Sequence, residues 1–156
     1  MFMFSQGMES DYLSVYLLDH DGDVTNIRAT PSGKVIQTLS NKEDYTITVC
    51  EFQNKWWYIC RPIECVEGNP IVLPETGGWI HSSVLCVSSR NYGGEKLSLR
   101  RMPDDKSEVV YSFSNEMQFR PLERKGLWMK VMTIDKKYQG WIEASWLCGN
   151  PVTNCN

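Results

Sequence analysis

The sequence predicts an all-β chain in which one small barrel or sandwich unit is laid down twice, and three observations predict it. Matching segments recur in the same order along the 156 residues. Apolar residues alternate at period two within short segments, as in half-buried strands. Turn-forming residues punctuate the chain every ten residues or so, from Asp21-Gly22 to Lys125-Gly126. The length allows two small units, since domains run as short as about 50 residues. With 42% hydrophobic, 22% charged and 12% aromatic residues, the composition is that of a globular chain with a packed core.

At the start, Met1-Phe2-Met3-Phe4 followed by Ser5, Gln6 and Gly7 reads either as a signal-peptide remnant or as a disordered terminus, which sets residues 1–11 apart. The string Asp19-His20-Asp21-Gly22-Asp23 spaces carboxylates before a glycine, as a calcium loop does. Thr30 stands where such a loop needs its closing bidentate glutamate, so a solvated turn into the first strand is the better reading, and no metal is expected. The first unit then opens with Asn26-Ile27-Arg28-Ala29-Thr30-Pro31-Ser32-Gly33-Lys34-Val35-Ile36. It returns 72 residues later from Ser98-Leu99-Arg100-Arg101-Met102-Pro103 to Val109-Val110, with two extra residues before the apolar pair.

The alternating run Tyr45-Thr46-Ile47-Thr48-Val49 marks a strand, and Phe52-Gln53-Asn54-Lys55 a turn. An aromatic strand follows in each copy, Trp56-Trp57-Tyr58-Ile59-Cys60 set against Leu127-Trp128-Met129-Lys130-Val131, an offset of 71. Gly78-Trp79-Ile80-His81-Ser82-Ser83-Val84-Leu85-Cys86 returns 62 residues later as Gly140-Trp141-Ile142-Glu143-Ala144-Ser145-Trp146-Leu147-Cys148, identical at six of nine positions. The fall in offset gives the first copy about nine extra residues, a hairpin insertion within 61–76. The Ser-Ser-Val-Leu and Ala-Ser-Trp-Leu segments suit a single 3₁₀ turn. The units are therefore expected at 12–88 and 95–149, joined by a short linker at 89–94 that holds them in contact and followed by a tail at 150–156.

Six cysteines exceed what a small reduced cytosolic domain carries, which points to export. None shows the Cys-x-x-Cys spacing of a zinc or redox site. Gly149-Asn150-Pro151 folds the tail back and favours a Cys148–Cys155 disulfide, and Cys50 and Cys60 flank a turn between neighbouring strands; free buried thiols are the alternative for all six. Net charge runs from −5 over residues 1–90 to +2 over 91–156, and neither part is basic enough to track a phosphate backbone. No apolar run is long enough to span a membrane as a helix.

Each copy resembles a bacterial SH3 domain. The elements that carry the resemblance are Ile27-Arg28-Ala29-Thr30-Pro31, Lys55-Trp56-Trp57-Tyr58 and the segment from Gly78 to Leu85. In the second copy they are Leu99-Arg100-Arg101-Met102-Pro103, Gly126-Leu127-Trp128 and the segment from Gly140 to Leu147. The resemblance implies two tandem SH3-like β-barrels, the first with a hairpin insertion, exported to the periplasm or cell envelope. It also implies targeting modules that hold hydrolases on the cell wall, often beside a papain-like peptidase domain. The 156 residues leave no room for that domain, so a stand-alone pair binding cell-wall peptide, glycan or an envelope protein is expected. The groove signature of proline-peptide-binding SH3 domains is missing, so polyproline recognition is not carried over.

The sequence is read as non-enzymatic and cofactor-free. Only His81 lies near a cysteine, five residues before Cys86, and the repeat sets it against Glu143. The resemblance places Trp57, Trp79, Trp128 and Trp141 in the packing, leaving Trp56 and Trp146 without counterparts and more exposed. Alternation sends Trp56 and Trp57 to opposite faces, so at most one is core. Trp56, Tyr58 and Tyr92 are thus the expected ligand contacts, in a cleft between the units. Use of 61–76 and the acidic first unit in a protein–protein role, as an inhibitor or immunity-type partner, is the alternative.

Overall fold

A computed structural model describes residues 12–155, and the expectations on residues 1–11 lie outside them. Its strands are β1 (Leu13–Leu17), β2 (Val24–Arg28), β3 (Val35–Ser40), β4 (Tyr45–Gln53), β5 (Trp56–Ile59), β6 (Glu64–Cys65) and β7 (Gly78–His81). There follow β8 (Leu85–Ser89), β9 (Leu97–Arg100), β10 (Val109–Phe113), β11 (Gln118–Lys125), β12 (Trp128–Thr133), β13 (Gln139–Glu143) and β14 (Leu147–Cys148). Single 3₁₀ turns at Ser82–Val84 and Ala144–Trp146 occupy the positions the sequence marks for them.

The chain is all-β and antiparallel. Its strands form one ladder in the order β10-β9-β13-β12-β11-β8-β1-β4-β5-β7-β2-β3, with β14 beside β8 and β6 beside β4. The ends, β10 and β3, do not meet, so hydrogen bonding does not close the sheet into a barrel. Alternation does what the sequence requires of it: in β4 Tyr45, Ile47 and Val49 are buried while Thr46 and Thr48 are half-exposed, and in β12 Met129, Val131 and Thr133 are buried.

The repeat reappears as pairing. The β4–β5 register slips between Val49 and Glu51, and the β11–β12 register slips at the matching place between Pro121 and Glu123. Arg28 donates to the Gly33 carbonyl at 2.8 Å, and Arg100 donates to the Ser107 carbonyl at 2.8 Å. The ladder also corrects one alignment. Trp56 lies opposite His81 and Trp128 lies opposite Glu143, so Trp128 is the counterpart of Trp56, 72 residues on, and Met129 is that of Trp57. A run of two tryptophans permits either match, but a one-residue slip would turn the buried face outward. Trp57 and Met129 are 1% and 0% exposed, whereas Trp56 and Trp128 are both half-buried.

Part of the insertion is structural. β6 pairs with β4, and Ile63, wholly buried, bridges Ile71, while Val66 and Val72 remain exposed. The Cys50–Cys60 disulfide ties the bulge of β4 to the end of β5 with Cα atoms 6.0 Å apart, and Cys148–Cys155 closes the tail with Cα atoms 5.7 Å apart. Cys65 and Cys86 are free.

β8 is the junction of the molecule. It pairs with β1 through Leu85 and Cys86, with β11 through Val87 and Ser88, and with β14 through Ser88 and Ser89. The 88/89 boundary expected from the repeat therefore falls inside a strand. Past it the chain is also fixed, for Asn91 is 1% exposed and its Nδ2 donates to the carbonyls of Glu95 and Ser114. One core cluster runs through both repeats, from Val15 and Ile47 to Phe119 and Val131. The Arg120 guanidinium crosses the seam to the carbonyls of Leu18 (2.6 Å) and Leu85 (3.0 Å).

Beside Arg120, the Tyr16 hydroxyl takes a bond from Gln118 Nε2 at 2.9 Å and from the Cys86 thiol at 3.1 Å. Burial pushes the Cys86 thiol up to about 11, and burial followed by the Cys86 charge pushes Tyr16 up to about 12. Both groups hold their protons in the folded chain at pH values where the unfolded chain releases them. Their stabilisation is complete below the ordinary values of 9.0 and 10.0 and is lost as pH rises through the raised ones. Melting temperature is expected to fall between about pH 9 and 12. Cys86→Ala removes the lower part of that fall, and an unchanged profile in the variant would contradict the assignment.

Candidate functional site

A hollow lies where the start of β1 and the tail after β14 meet the second repeat. A cavity of about 440 Å³ is lined by Leu13, Ser14, Leu147 and Gly149 together with Tyr12, Arg90, Arg124, Leu127, Glu143 and Cys155. Each wall follows from pairing. β1 is held in place by β4 and β8, β14 by β8, and the Leu127 tip by the β11–β12 hairpin.

Arg90 forms the saddle between this cavity and a second of about 300 Å³, lined by Arg90, Tyr92, Ser145, Trp146 and Cys155. Backbone carbonyls orient the cations: Arg90 Nη1 donates to Ser145 O at 3.3 Å, and Arg124 donates through Nε to Gly126 O at 2.9 Å and through Nη1 to Tyr12 O at 3.2 Å. A carbonyl fixes the Arg90 guanidinium's direction without cancelling its charge. The tail is equally fixed, because the Cys155 amide donates to the Tyr92 hydroxyl at 3.0 Å and Asn150 Oδ1 accepts from the amides of Val152 and Thr153. Trp146 also borders a hollow of about 180 Å³ with Trp128, Lys96 and Arg100.

The structure does not bring Trp56, Tyr58 and Tyr92 into one cleft. Tyr92, 37% exposed, belongs to the 300 Å³ cavity. Tyr58 lines a smaller one of about 150 Å³ against the insertion, where its ring meets Trp79 edge-on at 5.3 Å and its hydroxyl donates to Thr76 O. Trp56 stands beside His81, ring centroids 5.0 Å apart, and borders neither cavity. Arg90, Arg124 and Leu127 were not singled out from the sequence. No motif marks Arg90 or Arg124, and Leu127 stands in the sequence only as part of a repeated strand segment, since the three converge only when β1, β11, β12 and β14 pair.

Cys86 and His81 serve the fold. The Cys86 thiol, wholly buried, is held protonated near Tyr16. His81 Nδ1 accepts from the Ser83 amide at 3.1 Å and so caps the first 3₁₀ turn, and burial together with Lys55 lowers its affinity for a proton. Asp19 spends its carboxylate on the Asp21 amide and the Thr25 hydroxyl, as a turn residue does. Among the described residues no group of three or more His, Cys, Asp or Glu side chains is placed to hold a metal ion. Among them, too, no helix is long and apolar enough to cross a membrane.

No protein-family model and no curated protein matches the chain. Among solved structures it is similar to NlpC1 from Trichomonas vaginalis, at 12% identity and a TM-score of 0.33, covering 87% of this chain and 45% of that one. It is similar also to NlpC2 from Trichomonas vaginalis, at 12% identity and a TM-score of 0.34, covering 93% of this chain and 51% of that one. The chain thus spans about half the length of either structure.

Proposed function

We propose that the protein is a non-enzymatic binding module of the bacterial cell envelope, a tandem pair of SH3-like units that recognises cell-wall peptide or glycan at the junction between its repeats. The observation that carries this reading is the pair of cavities astride Arg90, built around the tail after β14, the larger one also from β1, and offering aromatic, apolar and cationic groups side by side. Such mixed, concave and rigid surfaces suit ligands with flat faces and a few polar groups. Support for the SH3-like assignment comes from the twice-used strand set, with bulges, Arg–carbonyl clamps and 3₁₀ turns at matching places. Two disulfides fit an exported chain. A binding role fits a Cys86 kept protonated and a His81 committed to a cap.

A second reading, docking of an envelope protein, is favoured by the insertion, where Val72 is 74% and Val66 45% exposed. Sedimentation with insoluble peptidoglycan sacculi separates the two. The wild-type chain is expected in the pellet. Leu127→Asp, a change at a 72%-exposed cavity rim, lowers retention about tenfold, and Val72→Asp leaves it unchanged. A wild-type chain that stays in the supernatant removes the cell-wall reading. Affinity capture from an envelope extract that is lost in Val72→Asp establishes the other.

A further inference from the structure

We infer that the saddle at Arg90 is a carboxylate site, and that the ligand crossing it is a short peptide whose carboxylate is held there. The inference rests on the binding-module reading and names the chemistry of that same site. Arg90 faces two cavities at once, of about 440 and 300 Å³, so its guanidinium is within reach of any ligand that spans them. Among the described residues its guanidinium donates to a neutral carbonyl, Ser145 O, which leaves a full positive charge and further donors on a half-buried side chain. Arg124 borders the larger cavity, its guanidinium aimed by the carbonyls of Gly126 and Tyr12.

Planar guanidinium forks match carboxylates in a bidentate way, and a partly walled site strengthens the bond relative to open water. The remainder of the lining tells what the carboxylate is attached to. Leu13, Leu127 and Leu147 offer aliphatic contacts on one side of the saddle, with the exposed Glu143 also in that lining, and Tyr92 and Trp146 offer aromatic faces on the other. A short peptide with small apolar side chains fits the first, and its continuing chain or an attached sugar fits the second. The site is preformed, because Cys155 borders both cavities and is fixed by its disulfide to Cys148 and by its amide to Tyr92.

The carboxylate can be a peptide C-terminus or an acidic side chain, and three fluorescein-labelled probes distinguish them by anisotropy: Gly-Ala-Ala with a free C-terminus, Gly-Ala-Ala amide, and Gly-Asp-Ala amide. The free acid, the aspartyl amide or both are expected to bind about tenfold or more tightly over Gly-Ala-Ala amide, with the difference shrinking as salt rises. Arg90→Gln abolishes that preference, so that the three probes bind alike, as a double-mutant cycle requires. Arg90→Lys restores part of it. Unchanged far-UV circular dichroism and melting temperature in Arg90→Gln show that the loss is local.

Equal binding of all three probes, no binding of any of them, or a preference that survives Arg90→Gln overturns the inference. If sacculi still retain the wild-type chain in that case, only the carboxylate site falls. If they do not, the binding-module reading falls with it.

Discussion

Trp57→Ala is expected to cost about 3–5 kcal/mol and to lower the unfolding midpoint of the whole chain rather than of its first repeat. Trp57 is 1% exposed, the largest of the fully buried side chains among the described residues. Its ring packs on Phe52 with centroids 5.3 Å apart. Its indole Nε1 donates to the carbonyl of Pro121 at 2.9 Å, which lies in the second repeat. Truncation would open a cavity at the seam and strand a buried carbonyl acceptor, and each effect is destabilising by itself. Trp57→Phe separates them, because it keeps most of the packing and removes only the donor, for a loss of about 1–3 kcal/mol. Urea unfolding followed by tryptophan fluorescence and by far-UV circular dichroism tests the coupling. Coincident transitions, both moved, are expected; a second transition left at the wild-type midpoint would show that the repeats unfold independently.

That coupling explains which features could be read from the sequence. Strands were legible because burial on one face imposes period two, and Tyr45, Ile47 and Val49 or Met129 and Val131 display it without tertiary help. Both disulfides were legible because each joins cysteines across a short turn, where chain geometry leaves few alternatives. The pairing of β8 with strands from both repeats was not, since alternation tells which way a side chain points and not which neighbour its backbone meets. Nor was the register of the tryptophans, which a bulge and a Trp-Trp doublet leave open until the partners His81 and Glu143 are known. The site was the least legible. Tyr12 and Cys155 border one cavity only because β1 and β14 both pair with β8, and a cation such as Arg90 looks like any linker arginine until Ser145 and Trp146 stand beside it.

Gly149→Ala carries the second large effect, and it connects the fold to the site. A Cβ on Gly149 would lie 1.9 Å from the Ser14 carbonyl oxygen, 2.2 Å from its carbon and 2.7 Å from the Val15 nitrogen, all of them backbone atoms of β1. No side-chain rotation relieves such a contact, so β1 and the end of β14 must separate. The tail cannot simply swing away, because Cys155 is bonded to Cys148 one residue before the glycine. Cost is therefore placed on β1, whose Val15 and Tyr16 are buried and whose pairing with β4 and β8 joins the repeats. An overpacking penalty of about 1–3 kcal/mol or somewhat more is expected. Ser14 and Gly149 both line the 440 Å³ cavity, so the same displacement should weaken retention on sacculi even at temperatures where the variant stays folded. Adding Cys148→Ser and Cys155→Ser to Gly149→Ala frees the tail to move and should recover part of the β1 penalty without restoring retention, since the wall at Cys155 is then lost. If Gly149→Ala alone melts and binds as the wild type does, the close approach of the tail to β1 is wrong, and the cavity with it.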